Sequence, residues 1–518
     1  MLRDFGPNPV LTWTTLSEGR YEMQVWARDP ATGQAQAAID VFDITPRVAP
    51  GGAPVVVPTA HPLVFLYSAA PCGLNASVFI RFTSAEGKSR VTPIQRCSAA
   101  DSVNIYLAAL QPSMQYTAQQ VVFNGSTRTL GPAVSFTTGA VDIPVPPLSV
   151  TQTSTPSQAE GILLQSTLFG AKQIATDLAG NLLWYYPGNL SLLTRPAPNG
   201  HFLGILQSPG GALTDQRVIE FDLTGMTVLE TNAARVNEQL AALGKRRISS
   251  FHHEARRISY GRTVVLATVE QTLTDVQGPG PVNIVGDMVI VFDQNLDVVW
   301  TWDGFDHLDP ALPAVLGETC AIGSCPPRQT SGPANDWTHA NSVQETADGQ
   351  LLLSVRHLDW VLKLDYDYDA GSGDILWRLG PHGDFTIDSS DPFPWFSHQH
   401  DPALSSKGVF STFDNGNTRV ARFPGSHSRG QVLQLDETNM TARVIQSTDL
   451  GVFSAALGSA NRLLNGNYHF TAGFLPASDG SYTTQSMEIN RTGQFVYLQK
   501  AAAAEYRSFR LADLYHGE

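Results

Sequence analysis

The chain carries little charge for its length. Asp, Glu, Lys and Arg make up 15% of its 518 residues, and the balance is −14. Nowhere do lysines and arginines gather into a block. An acidic surface without such a block argues against nucleic acid or an anionic membrane as partner. No apolar run approaches the length of about 18 residues that a membrane-spanning helix needs, so no span is expected. The opening Met1–Val10 lacks the basic-then-apolar pattern of a signal peptide. Cysteine is scarce: Cys72, Cys97, Cys320 and Cys325 are the full set. Neither local pair has C-x-x-C spacing, which argues against a structural zinc site. An even number in two local pairs predicts two disulfides, Cys72–Cys97 and Cys320–Cys325. With them comes an oxidising compartment, secreted or periplasmic. Histidine is also sparse, at 13 residues, so its placement is informative.

What the chain does have is turn formers and apolar residues. Gly and Pro number 44 and 33, and apolar residues reach 42%. That is an all-β composition with many short turns. The length predicts two or three domains. Residues 1–48 read as a partial Ig-like β segment: GRYEMQVWARD and QAQAAIDVFDI flank a turn at Pro30–Gly33. Residues 52–142 read as a β-sandwich stapled by Cys72–Cys97. Leu110-Gln-Pro112 with Tyr116, the turn at Asn124-Gly125 and the closing AVSFTTG resemble a fibronectin type III domain. A Pro-rich linker at Pro144–Pro147 follows.

From residue 150 to 518 the chain repeats. A Gly turn and an apolar strand open each unit: Gly161-ILLQSTL, Gly200-HFLGIL, Gly261-RTVVLAT, Gly349-QLLLSV, Gly408-VFSTF and Gly466-NYHFTAG. A strand, an Asp/Asn/Gly turn and another strand close it, as in VIVFDQNLDVVWTW. Six such units predict a six-bladed β-propeller. Trp184, Trp300 and Trp377 close their units and read as packing between blades. The acidic run Asp365–Asp369 has the look of a calcium loop, but its glycine and its final acid are misplaced, so it reads as a long hairpin.

Three histidine segments precede these Gly turns: Phe251-His-His-Glu254, Asp336-Trp-Thr-His-Ala-Asn-Ser-Val343 and Phe396-Ser-His-Gln-His-Asp401. A repeat that carries histidine at one place can gather it at one point of a central channel. Those segments, with Ser354-Val-Arg-His357 and Ser411-Thr-Phe-Asp-Asn-Gly416, resemble the arylsulfotransferase family, most clearly over residues 336–419. The resemblance implies a six-bladed propeller and transfer of a sulfuryl group from an aryl sulfate donor to a phenolic acceptor through a sulfated histidine. No cofactor is implied, and a homodimer is compatible with it.

Carried over residue by residue, the resemblance puts the sulfated histidine at His400. His339 and Asn341 match the family's H-x-N, Arg356 its channel arginine and His252 its first channel histidine, with His253 adjacent. His398, two residues before His400, could share the channel. Ser459 and Thr471 are candidates for a last-blade hydroxyl. Elementary chemistry supports the set: a neutral imidazole is a nucleophile near neutral pH, and a guanidinium fork suits sulfuryl oxygens. His357, beside Arg356, alternates outward and reads as structural. Two other classes remain open: a ligand-binding propeller without catalysis, and a metal-dependent hydrolase or lyase using His252, His253, His398 and His400. No metal is assigned to the site.

Overall fold

The computed structural model describes residues 2–29, 31–152, 161–207, 215–320, 324–325, 328–330 and 332–517, with Gln152 and residues 324, 325, 328 and 329 described as backbone only. The protein is all-β, with a few short helices such as Ala233–Ala242.

Among the described residues, six sheets share one plan, a core of four antiparallel strands, and three of them carry one or two additional strands. Sheet one holds Ile162–Thr167, Ile174–Asp177 and Leu182–Tyr185, and the C-terminal strand Glu505–Leu511 pairs with its first strand. Sheets two to six begin at Leu192, Ser250, Ala340, His400 and Ser459, each running first strand to fourth in chain order. Their first strands touch in sequence: Leu192–Ala197, Ser250–Arg257, Ala340–Glu345, His400–Leu404, Ser459–Arg462 and Glu505–Leu511. Sheet one is thus met from both sides: Ile162–Thr167 touches Leu192–Ala197 of sheet two, and Glu505–Leu511 touches Ser459–Arg462 of sheet six.

Stacking of sheets explains why the inner strands read as continuous apolar runs rather than alternating ones. In Thr263–Thr274, Val265, Ala267 and Val269 pack against sheet two with Leu203 and Ile205. Val264 and Leu266, pointing the other way, pack against sheet four with Leu351 and Leu353. Both faces of one strand are core, so period two is hidden. Three outer-strand tryptophans each bind their sheet to the next. Trp184 Nε1 donates to Leu223 O (2.7 Å), Trp300 Nε1 to Gly371 O (3.2 Å) and Trp377 Nε1 to Glu437 Oε2 (2.9 Å).

Residues 55–137 fold as two facing sheets around Tyr67, Ile80, Phe82, Ile105 and Leu107. The Cys72–Cys97 disulfide is present, and Tyr116 Oη accepts the Gln111 N–H at 2.9 Å. Cys320 is also disulfide-bonded; the side chain of Cys325, its expected partner, lies outside the described residues. The sandwich is docked on sheet one, where His61 Nε2 meets Tyr185 O at 2.8 Å and Tyr515 Oη donates to Tyr106 O at 2.9 Å. Nearer the N-terminus, Gly19–Arg28 and Ala35–Ile44 form a two-stranded hairpin with Val25, Trp26, Ile39 and Val41 exposed. The acidic run after Leu364 is a hairpin in which Asp365 Oδ2 accepts from Ser372 and Asp369 pairs with Arg262 and Tyr366.

Candidate active site

The three histidine segments meet. The His253 ring lies 5.1 Å from His339, His339 4.5 Å from His357, and His357 5.6 Å from His398. His253, His339 and His398 also share a backbone feature: φ is +55, +48 and +53°. A left-handed histidine is uncommon, and three in equivalent segments mark a site where side-chain aim takes precedence over backbone ease. Each stands just before or within the first strand of its sheet, where a register shift follows, between His252 and Ala255, Ala340 and Ser342, and His400 and Ala403.

His252 stands behind His253. Their Nδ1 atoms are 2.7 Å apart, and His252 Nε2 is 3.0 Å from Asp287 Oδ1. Asp287 also accepts the Ala340 N–H at 2.6 Å, which ties sheet three to the His339 strand. His339 Nδ1 is 2.5 Å from Asp336 Oδ2. His398 Nδ1 is 2.8 Å from Asp359 Oδ1, and its Nε2 closely meets Glu318 Oε1. Glu318 arrives from the insertion before sheet four. Val315 N–H donates to His357 O at 2.8 Å and Asp336 N–H to Glu318 O at 3.0 Å, which pins that segment to the site. Burial would raise the Glu318 carboxyl, but its contact with His398 and the Arg356 charge outweigh burial and hold it below its ordinary range.

His400 lies beside this chain of rings, in different surroundings. Its Nδ1 is 2.7 Å from Asn415 Oδ1. Asn415 is itself fixed, donating to Ser454 O (2.7 Å) and Leu457 O (3.0 Å). Burial first, and then the Arg356 charge, push the His400 imidazole down to about 3. Arg356 donates to Ala455 O at 2.9 Å and meets His357 Nε2 through Nη1. Burial lowers the guanidinium from its ordinary value, against the pull of Glu318, Asp336 and Asp359.

His357 is not the outward structural residue its alternation implies. Arg356–Leu358 form a 3-10 turn closed by Asp359 at φ +54°, so alternation stops there and His357 turns in. Its Nδ1 is 2.7 Å from Asp336 O, and burial drives its basicity well below that of a free histidine. Asn341, expected as a donor to substrate, gives its amide to Gln399 O at 2.7 Å. Ser459 and Thr471 sit in a buried hydroxyl network: Ser459 Oγ donates to Thr471 Oγ1 (2.9 Å) and Ser508 O (3.1 Å). Glu318 and His357 also stand in this cluster, and sequence reasoning did not point to them. The i,i+3 spacing of Asp336 and His339 was the available signal for a carboxylate partner.

One or two residues beyond the histidines, the same strands carry a buried ionic network. Arg195 donates to Glu254 (3.0 Å) and pairs with Asp401. Arg507 pairs with Glu254 (2.9 Å) and donates to Asn341 O (2.8 Å). The Ala460 N–H reaches Asp401 Oδ2 at 3.4 Å. All six first-position strands thus contribute to one network. Burial raises the Asp401 carboxyl, but Arg195 and Arg507 outweigh it and hold it below the usual range.

Fold and site together define an all-β protein with a buried histidine–arginine centre. Residues 148–510 match the family model described as Arylsulfotransferase (ASST). The chain belongs to the arylsulfotransferase family. It is 25% identical over 293 residues to the arylsulfate sulfotransferase AssT of Escherichia coli O6:H1, covering 48% of this chain and 47% of that one. It is 23% identical over 325 residues to the AssT of Lelliottia amnigena, covering 52% and 51%. The chain therefore spans about half the length of these curated relatives. A solved structure of a protein of unknown function from Bacteroides caccae aligns at 11% identity with a TM-score of 0.40, covering 68% of this chain and all of that one. Among the described residues no helix is long and apolar enough to cross a membrane.

Proposed function

We propose that the six sheets are the blades of a β-propeller, and that the protein moves a sulfuryl group from an aryl sulfate to a phenol through an adduct on His400. The blade arrangement is supported by first strands that touch in order and join one ionic network. In this reading residues 52–142 are a fibronectin type III-like module and residues 1–48 part of a further Ig-like one. A compartment outside the cytoplasm suits the Cys72–Cys97 disulfide.

The observation that carries the reaction is the setting of His400. Its Nδ1–H is committed to Asn415 and its ring stays neutral, which leaves Nε2 as a lone pair within the field of Arg356. Nε2 attacks sulfur, the S–O bond to the aryl group breaks, and the phenolate leaves with the electron pair. In the second half, the acceptor oxygen attacks the same sulfur, the N–S bond breaks, and the phenolic proton passes to a base. His253 and His339 are placed for proton transfer, and His252 positions His253 from behind. The Arg356 fork holds the sulfuryl oxygens, where transition-state charge is spread. Asn341, Ser459 and Thr471 are positioning residues here. The test is intact mass after incubation with 4-nitrophenyl sulfate alone, in chelator. The wild type should gain one sulfuryl group and His400→Ala none. An adduct that persists in His400→Ala, or none on the wild type, overturns the proposal.

A further inference from the structure

His398 raises a problem that the sulfuryl reading does not solve. Its two ring nitrogens each face a carboxylate, Asp359 Oδ1 at Nδ1 (2.8 Å) and Glu318 Oε1 at Nε2. Nδ1 is the protonated end, because Asp359 is an acceptor held in place by the His398 N–H (2.7 Å) and the Thr418 hydroxyl (2.8 Å). At Nε2 a lone pair and a carboxylate cannot face each other without an electrophile between them. That electrophile is either a second proton or a cation.

The neighbouring ring is set up in the same way. His357 Nδ1 donates to Asp336 O at 2.7 Å, so its Nε2 is also a lone pair, and Arg356 Nη1 points at it. Glu318 Oε1 is 4.0 Å from His357 Nε2. One ligand atom each from Glu318, His357 and His398 lies within 4.8 Å of the others. Tetrahedral bonds of about 2.0–2.1 Å place their ligand atoms about 3.3 Å apart, so the 4.0 Å Glu318–His357 separation would close by about 0.7 Å and the closer Glu318–His398 contact would open by a comparable amount. Both histidines have Nδ1 anchored by an oxygen acceptor, the arrangement that fixes tautomer and aim in metal-bound histidines. Both rings are fully enclosed, while Glu318, with its side chain 22% exposed, leaves an open side.

We infer that Glu318, His357 and His398 form a site for a divalent transition-metal ion, of the zinc class, with its fourth position open toward the channel. Two imidazoles and a carboxylate suit zinc or cobalt over magnesium or calcium, which prefer oxygen. The ion would take the place of the Arg356 guanidinium at His357 Nε2. It would also offset Glu318, Asp336 and Asp359, the carboxylates whose charges act on Arg356 beside the proposed anionic substrate. The site stands on this geometry and not on which group the enzyme transfers.

The experiment is titration of the chelator-stripped full chain with cobalt(II), followed by visible absorption, with zinc(II) calorimetry for stoichiometry. One ion per chain with the intense bands of tetrahedral cobalt is expected. Glu318→Gln, at the partly exposed ligand, should keep the fold and weaken binding by tenfold or more. Asp359→Asn should weaken it by about 10–100-fold through its hold on His398. Thermal unfolding reports whether each variant is folded. Absence of uptake by the wild type, or uptake unchanged in Glu318→Gln and His357→Gln, overturns the inference and leaves a proton at His398 Nε2. Because the sulfuryl adduct is measured in chelator, failure of one proposal is distinguishable from failure of the other.

Discussion

The histidine cluster and the ionic network ride on the same strands, one or two residues apart, and they use charge in opposite ways. In the network Arg195 and Arg507 face Glu254 and Asp401, two charges against two, each with a protein partner. In the cluster, carboxylates from three separate segments surround ring nitrogens and one guanidinium. The first arrangement is closed and holds six strands together. The second sets carboxylates and one guanidinium against histidine ring nitrogens. Burial alone does not mark a functional site, since Glu254 and Arg507 are as buried as His398. Balance of charge within the protein is what separates the two layers.

Breaking the balanced layer should give the largest effect. Arg507→Met leaves Glu254 with one cation and the Asn341 carbonyl with Tyr506 Oη as its remaining donor. Removing one partner of a buried pair typically costs about 3–5 kcal/mol. Urea unfolding should show that loss, and adding Glu254→Gln should recover part of it. Wild-type stability in Arg507→Met would mean that the network is not what joins the strands.

The same kind of change in the cluster should affect rate instead. Arg356→Lys keeps a cation and removes the planar fork. Transfer from 4-nitrophenyl sulfate should fall by about 10²–10³, with the unfolding midpoint little changed. If stability falls and the residual rate per folded molecule is normal, Arg356 belongs with the structural layer.

These two layers were not equally legible. Each histidine segment ends in or near an acid or amide, Glu254, Asn341 or Asp401, and the segments were visible because Gly261, Gly349 and Gly408 mark the turn that follows each one. The tryptophans at 184, 300 and 377 read correctly because a fourth strand has only one neighbour to bind. His357 was misread because strand alternation was extended through a turn that Asp359 closes in the left-handed region. Glu318 was beyond reach: it meets His398 across 80 residues, from an insertion without periodicity. The choice between His252 and His253 depended on backbone φ, which no spacing encodes. Ser459 and Thr471 have the right residue type, but their hydroxyls close onto Ser508 of the C-terminal strand.

A buried histidine outside both layers sharpens the contrast, because His61 joins the sandwich to sheet one. Its Nδ1 accepts the Leu63 N–H (3.0 Å) and its Nε2–H donates to Tyr185 O (2.8 Å), so only the neutral ring fits. Burial pushes it down to about 4. The folded protein therefore binds fewer protons than the unfolded chain between about pH 6.5 and 4. The contribution is fully present above that window, is lost as pH falls through it, and amounts to about 3 kcal/mol at most. Unfolding midpoints of wild type and His61→Gln should converge between pH 7 and 4.5. A gap that stays constant would place the acid sensitivity elsewhere.

The smallest expected effect is the most diagnostic one for the cluster. His400 is pushed down to about 3, by burial first and the Arg356 charge second. An imidazole with that setting is neutral, and nucleophilic, over the whole range from pH 7 to about 4.5. It gains its proton only below that range. Single-turnover release of 4-nitrophenol, read after quenching into base, should therefore stay nearly flat across it. The loss of His61 stability must be kept out of the measurement, so each point needs a folded-fraction control by intrinsic fluorescence. Transfer to a phenol added afterwards should instead rise toward alkaline pH, as the acceptor approaches phenolate. An acidic limb near pH 6.5 in the first half-reaction would assign the attack to a solvent-exposed histidine with an ordinary proton affinity. That result would move the nucleophile away from His400, whose Nδ1 rests on the Asn415 amide oxygen.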